Sequence, residues 1–149
     1  MSSFKGLFKY SLDAKGRVNI PAKFRKTLSP AANETFVITR GLEGCLFVYP
    51  LDEWEKIEQK LRNLSMTQKD NRFFVRMLTA YATEAPFDKQ GRIPIPPYLA
   101  EFAKIERDVL IIGSLDRVEI WSPKVYEEYI TNSPETFESA AEKIILANE

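Results

Sequence analysis

The stretch "LDAKGRVNIPAKF", beginning at Leu12, returns seventy-five positions later as "FDKQGRIPIPPYL". No other feature limits the fold as much. A unit that occurs twice in 149 residues must build two small halves or share one core between its copies. Each copy sets Asp, Gly and Arg at i, i+3 and i+4: Asp13, Gly16 and Arg17, then Asp88, Gly91 and Arg92. The glycines fall where a tight turn needs positive φ. Beyond the first turn, Val18 and Ile20 alternate with Arg17 and Asn19, the pattern of a half-buried strand. The likeness runs on: Gly41 matches Gly113, Leu46 matches Val118, Val48 matches Ile120, Tyr49 matches Trp121, and Trp54 matches Tyr126. The offset falls from 75 to 72, so the second copy has a connection three residues shorter. Each copy is expected to run hairpin, short helix, strand, turn, strand, helix.

Punctuation residues support this order. Pro21 and Pro97 suit the first turn of a helix, where a missing N–H costs nothing. "TFVITR" and "DVLIIG" are β-rich, and "GCLFVYP" and "RVEIWSP" read as second strands ended by proline. Ser122-Pro123 reads as a helix cap with proline at the first helical position. Leu51, Trp54, Ile57, Leu61 and Leu64 form one apolar stripe. Thr67 and Asp70 read as a capping box, followed by Phe73, Phe74, Met77, Leu78 and Tyr81 on a broad face expected to be core. A last helix is expected over about 134–147, started by Ser133-Pro134, with Phe137, Ile144 and Ile145 on a narrow stripe. The chain thus divides into a first repeat with its helix (1–64), a linking helix (65–84), a second repeat (85–131) and a helical tail (132–149). Pro94, inside the second copy's strand, cannot donate to a ladder, so the second hairpin is expected to pair differently from the first.

What the chain lacks narrows its chemistry. It has no histidine, and Cys45 is its one cysteine. The commonest general base and the usual zinc sets are therefore missing, and no intrachain disulfide can form. Neither a GxGxxG nor a GxxxxGK[ST] loop is present. Asp13 and Asp88 could pair as general acid and base if the copies faced each other, but nothing marks a nucleophile or cofactor loop beside them. No enzyme activity, metal or cofactor is expected, and Cys45 reads as a small buried residue. No apolar run approaches the roughly 18 residues of a membrane span. The opening "MSSFKGLFKYSLD" is too polar for a signal peptide, so a cytoplasmic location is expected.

The net charge is zero, yet the charges are unevenly spread. Residues 1–26 carry seven cations against one acid, and residues 119–149 carry two cations against seven acids. These are either two solvated faces or a basic patch for nucleic acid and an acidic partner surface. The repeated turn bears on that choice. Its aspartate can accept backbone N–H groups and hold the arginine beside it in one orientation. An ordered arginine suits bidentate contact with guanine O6 and N7 or with phosphate. Lys15 and Lys89 offer phosphate contacts within the turns, and Lys23 and Arg25 offer more by charge alone. The alternative is that Asp13–Arg17 and Asp88–Arg92 only pin a turn, a role in which an exposed pair contributes about 0–1 kcal/mol.

"YSLDAKGRVNIPAKFR", "FVITRGLEGCLFVYPLDEWEKIEQKL", "RFFVRML", "ATEAPFDKQGRIPIPPYLAEFA" and "DVLIIGSLDRVEIWS" follow in order the pattern of the MraZ family, which the chain resembles over nearly all of residues 4–131. These are bacterial transcriptional regulators linked to the division and cell-wall gene cluster. The resemblance implies an α+β fold, a pseudo-twofold duplicated swapped-hairpin AbrB-like β-barrel core with flanking helices (the SpoVT-AbrB type). It implies a homo-oligomeric ring, an octamer or similar, that binds direct repeats in promoter DNA near the nucleoid. On that reading Lys15, Arg17, Lys89 and Arg92 contact DNA, with Lys23 and Arg25 added by charge, while Asp13, Asp88, Gly16 and Gly91 orient the motifs. "PAKFRK" in copy one becomes "PPYLAE" in copy two, so copy one is expected to take the larger share of phosphate contacts. A protein-interaction module of the same fold group, like an antitoxin gripping its toxin, is the alternative.

Overall fold

A computed structural model of the chain describes residues 3–148. Met1, Ser2 and Glu149, at the outer ends of the first repeat and of the tail, lie outside the described residues. Copy one supplies β1 (Phe4–Ser11), β2 (Arg17–Asn19), α1 (Ala22–Arg25), β3 (Thr35–Arg40), β4 (Leu46–Pro50) and α2 (Leu51–Arg62). The linking helix α3 (Lys69–Ala80) follows. Copy two supplies β5 (Thr83–Pro86), β6 (Arg92–Pro94), α4 (Pro97–Phe102), β7 (Asp108–Leu115), β8 (Arg117–Trp121) and α5 (Pro123–Asn132), and α6 (Phe137–Ala147) completes the tail.

The first two strands of a copy do not pair with each other. β1 pairs with β7 of the other copy, and β5 pairs back with β3. β2 and β6 pair only with one another. The six-stranded antiparallel sheet runs β1-β7-β8-β4-β3-β5, an order that is unchanged when the copies are exchanged. The register obeys the same exchange. At the sheet centre Phe47 lies opposite Glu119, with Leu46–Ile120 and Val48–Val118 on either side. In the ribbon Val18 lies opposite Ile93.

This register corrects one sequence match. Ile38 opposes Val48, and Ile111 opposes Ile120. Ile111 is therefore the counterpart of Ile38, and Gly113 answers to Arg40 rather than to Gly41. The extra residue sits in the turn after β3, where Gly41 N–H donates to the Cys45 carbonyl at 2.8 Å.

Strand alternation delivers the core. Phe36, Ile38, Leu46, Val48, Val109, Ile111, Val118 and Ile120 project from the sheet into one cluster with Phe24, Leu99, Val18 and Ile93. Full burial of such a side chain contributes about 1.5–3 kcal/mol. Cys45, Phe47, Leu110 and Trp121 form a smaller cluster, with Tyr126 of α5 packed on it. The mixed α+β class is as expected, but the sheet is open, with β1 and β5 at its edges, rather than a closed barrel. β5 has four residues, ending at Pro86, and each ribbon strand has three. Such short strands do not close a barrel around the core.

Other local expectations divide. Ser122 caps α5, its hydroxyl accepting Val125 N–H at 3.4 Å, with Pro123 in the first turn. Pro97 opens α4, whereas Pro21 stands one residue before α1 as its cap. The Thr67–Asp70 capping box does not form. Thr67 hydroxyl instead meets that of Ser65 at 2.7 Å, and Arg72 Nη1 donates to the Met66 and Thr67 carbonyls. Ser133-Pro134 separates α5 from α6 instead of starting the last helix, which begins after a Thr136–Ser139 capping box. The α3 face read as core is open at its start, where Phe73 is 61% exposed and Phe74 48%, whereas Met77 and Leu78 are half-buried and Tyr81 packs against the main cluster.

Candidate nucleic-acid interface

The two glycine turns are built alike. Asp13 N–H donates to the Arg17 carbonyl at 2.9 Å, and Gly16 N–H to the Asp13 carbonyl at 3.0 Å. Asp88 and Gly91 repeat both bonds with Arg92 and Asp88 at 3.0 and 2.9 Å. Gly16 and Gly91 stand at φ +74° and +78°, as the motif predicts, where an L side chain costs about 1–2 kcal/mol.

The carboxylates complete the turns. Asp13 Oδ1 accepts the backbone N–H groups of Lys15 and Arg17, each at 2.9 Å, and Oδ2 accepts Arg17 Nε at 2.8 Å. Asp88 Oδ1 accepts those of Gln90 and Arg92 at 2.9 Å, and Oδ2 accepts Arg92 Nε at 3.0 Å. The Arg17 backbone N–H is the main cause that holds the Asp13 carboxyl below the ordinary range. The Arg17 guanidinium and the Lys15 N–H add to it, against the partial burial of the group. Asp88 is lowered in the same way, first by the Arg92 backbone N–H. Both carboxylates are therefore ionised at neutral pH. In each arginine Nε is tied down by the aspartate of its own turn, and in Arg92 Nη1 also faces the aspartate of the other turn.

The ribbon joins the two motifs. Ile20 N–H donates to the Gly91 carbonyl at 2.9 Å, and Ile95 N–H to the Gly16 carbonyl at 3.0 Å. Hydrogen-bonded pairs alternate along an antiparallel ladder. Pro94, opposite Arg17, therefore falls where no N–H is needed, and the two turns pair alike despite the proline. Alternation also sorts the faces. Val18 and Ile93 are fully buried, so Arg17, Asn19, Arg92 and Pro94 share the outer face. Arg92 Nη1 lies 3.5 Å from Asp13 Oδ2, so Asp13 stands between both arginines. Asn19 was missed as a candidate, although it has the same strand parity as Arg17.

The lysines are peripheral. Lys15 and Lys89 are exposed in the turns, but not at equivalent places: Gln90 is the counterpart of Lys15, and Ala14 of Lys89. Lys23 on α1 is exposed, its Nζ 5.9 Å from the Phe8 ring. Arg25 turns inward: its Nε donates to the Ile20 carbonyl at 3.0 Å, and its guanidinium lies 5.9 Å from the Phe87 ring centre.

Two further arginines are absorbed by the fold. Arg40 lies between the Tyr81 and Phe102 rings at 4.9 and 4.4 Å, and Arg117 stacks on Phe47 while binding Glu119. Cys45 is buried, and burial pushes its thiol up to about 12. Among the described residues no group of three or more Cys, Asp or Glu is placed to hold a metal, and no helix is long and apolar enough to cross a membrane.

Fold and site together define a duplicated α+β protein whose copies interleave strands and display two Asp-braced arginines on one ribbon. A family model described as "MraZ protein, putative antitoxin-like" matches residues 3–77 and again residues 78–148. The chain is 53% identical over 139 residues to the "Transcriptional regulator MraZ" of Caldanaerobacter subterraneus subsp. tengcongensis, covering 93% of this chain and 94% of that one. It is 54% identical over the same shares to its namesake in Thermoanaerobacter sp. strain X514, and 47% identical over 142 residues to that of Natranaerobius thermophilus, covering 95% and 96%. The chain belongs to the MraZ family, whose curated members carry a regulator's name and not an enzyme's.

Proposed function

We propose that this protein is a transcriptional regulator that binds promoter DNA through the β2–β6 ribbon. The observation that carries the reading is the placement of Arg17, Asn19 and Arg92 on one outer face, with Asp13 bridging the two motifs. A two-stranded ribbon fits the major groove of B-DNA, and arginine is the side chain suited to guanine O6 and N7. Lys15, Lys89 and Lys23 would meet phosphates, the larger share from copy one.

The strand exchange between copies supports a swapped-hairpin core of the AbrB type. The open start of α3, with Phe73 and Phe74, and the separation of basic head from acidic tail support a homo-oligomeric ring. Such a ring would present its ribbons to successive direct repeats, in the cytoplasm and at the nucleoid. Family membership points to the division and cell-wall genes as targets. A second reading, a protein-interaction module, draws on the tail: Phe137, Ile144, Ile145 and Leu146 of α6 are all exposed.

The test is a titration of wild type and Arg17→Ala/Arg92→Ala against a duplex with short direct repeats and a scrambled duplex, across a salt series. Log affinity should fall with log salt by about 0.9 per phosphate contacted. Preference for the repeats, lost in the double variant, is the expected result. Equal, weak binding to both duplexes, unchanged by the substitutions, overturns the DNA reading and favours the interaction module.

A further inference from the structure

The two turns share a plan but not their surroundings. A Cβ built on Gly16 meets only the Ile95 carbonyl, at 3.7 Å. One built on Gly91 would lie 2.4 Å from both Cζ and Nε of Arg25. The Arg25 guanidinium is thus laid against the second turn's glycine, and Gly91 is buried where Gly16 is half-buried. The same side chain also closes a link between copies. Ile20 N–H binds the Gly91 carbonyl, and Arg25 Nε binds the Ile20 carbonyl. The repeat places Ala100 where copy one has Arg25, and among the described residues no guanidinium lies against the first turn's glycine. Arg92, which springs from the covered turn, is held by Asp88 and faces Asp13.

We propose that Arg25 is a positioning residue: it braces the Asp88–Arg92 turn from the other copy and so fixes Arg92 for base reading, instead of contacting phosphate itself. The proposal rests on the DNA-binding reading above. A site holds its geometry only when the groups behind the contacting side chain are themselves fixed. Arginine can do this because its planar fork lies flat on a backbone while Nε makes a directed hydrogen bond, which a lysine ammonium at the end of a flexible stem does not reproduce.

Two measurements decide it. The first needs no DNA. Ile20 N–H and Ile95 N–H are paired reporters of the two ribbon ends, so amide exchange is followed by NMR in wild type, Arg25→Ala and Arg25→Lys. Thermal unfolding is recorded for each, and Arg25→Lys serves alone if Arg25→Ala does not fold. Exchange at Ile20 should rise about tenfold while Ile95 stays as in wild type. Equal exchange at Ile20 in variant and wild type overturns the brace.

The second measurement is the salt-series titration on repeat and scrambled duplexes with Arg25→Ala, Arg25→Lys, Arg92→Ala and Arg25→Ala/Arg92→Ala. A positioning role predicts about tenfold weaker binding to the repeats in both Arg25 variants. It also predicts an unchanged salt slope, unchanged binding to the scrambled duplex, and little further loss when Arg92 is already alanine. A slope lower by about 0.9, equal loss on both duplexes and rescue by lysine would make Arg25 a phosphate contact and overturn the proposal. A wild type without preference for the repeats overturns the DNA reading itself, a failure told apart from the others because it precedes any substitution.

Discussion

The two Asp-x-x-x-Arg turns differ in what surrounds them more than in what composes them. Each turn carries one exposed lysine, Lys15 or Lys89, but the first is lightly held: only a backbone oxygen approaches Gly16, and the exposed Lys23 follows on α1. The second has Gln90 and Tyr98 where the first has Lys15 and Lys23, yet its glycine lies under Arg25 and its arginine faces two carboxylates. Duplication therefore need not give two equal turns. The first turn is suited to adjustment, the second to fixed geometry.

The widest gap between the turns should appear when their glycines are replaced. Gly16→Ala is expected to cost about 1–2 kcal/mol, the strain of a side chain at positive φ. Gly91→Ala adds the displacement of Arg25 from the Ile20 carbonyl, about 1 kcal/mol more. Chemical denaturation of both variants checks this, and equal losses would remove the asymmetry.

A smaller difference is expected between the aspartates. Asp13→Asn weakens the hold on Arg17 and Arg92 together, whereas Asp88→Asn leaves Arg92 facing Asp13. Both carboxylates are about one-third exposed, so solvent screens these pairs. Asp13→Asn should lower affinity for the repeat duplex about fivefold, with a lesser loss for Asp88→Asn. The reverse order would show that the cross-ribbon contact is idle.

The finest distinction is in titration. Both aspartates have folded pKa values lowered below the unfolded one, so their support for the turns is complete above the ordinary aspartate pKa. It is lost only as pH falls from about 4 through the lowered values. Carboxyl ¹³C shifts should hold from pH 7 to 5 and then move at both sites, with the Arg Nε–H signals broadening over the same window. A midpoint at or above the ordinary value at either site would remove the backbone N–H donors as the cause.

Much of this was legible beforehand because it is local. The positive φ of Gly16 and Gly91 follows from the turn, the burial of Val18 and Ile93 from alternation, and the start of α5 from Ser122-Pro123. Partner choice was less accessible. A hairpin signal does not say which strand completes the ladder, and both copies gave their opening strands to the other. Helical apolar spacing likewise does not say what covers it. The stripe on α2 buries Trp54 and Leu61, while the equally periodic α3 leaves Phe73 and Phe74 open. Pro94 looked disruptive only because its place in the ladder was unknown.

By itself, then, the sequence determined the duplication, the two braced arginine turns and the inward and outward faces of each strand. Those depend on backbone stereochemistry and side-chain periodicity within a few residues. The tertiary structure alone decided the strand exchange, the approach of Arg92 to Asp13 and the seating of Arg25 on Gly91. These join groups far apart in the chain, and distance and direction in the packed core, not residue type, select which charge meets which turn.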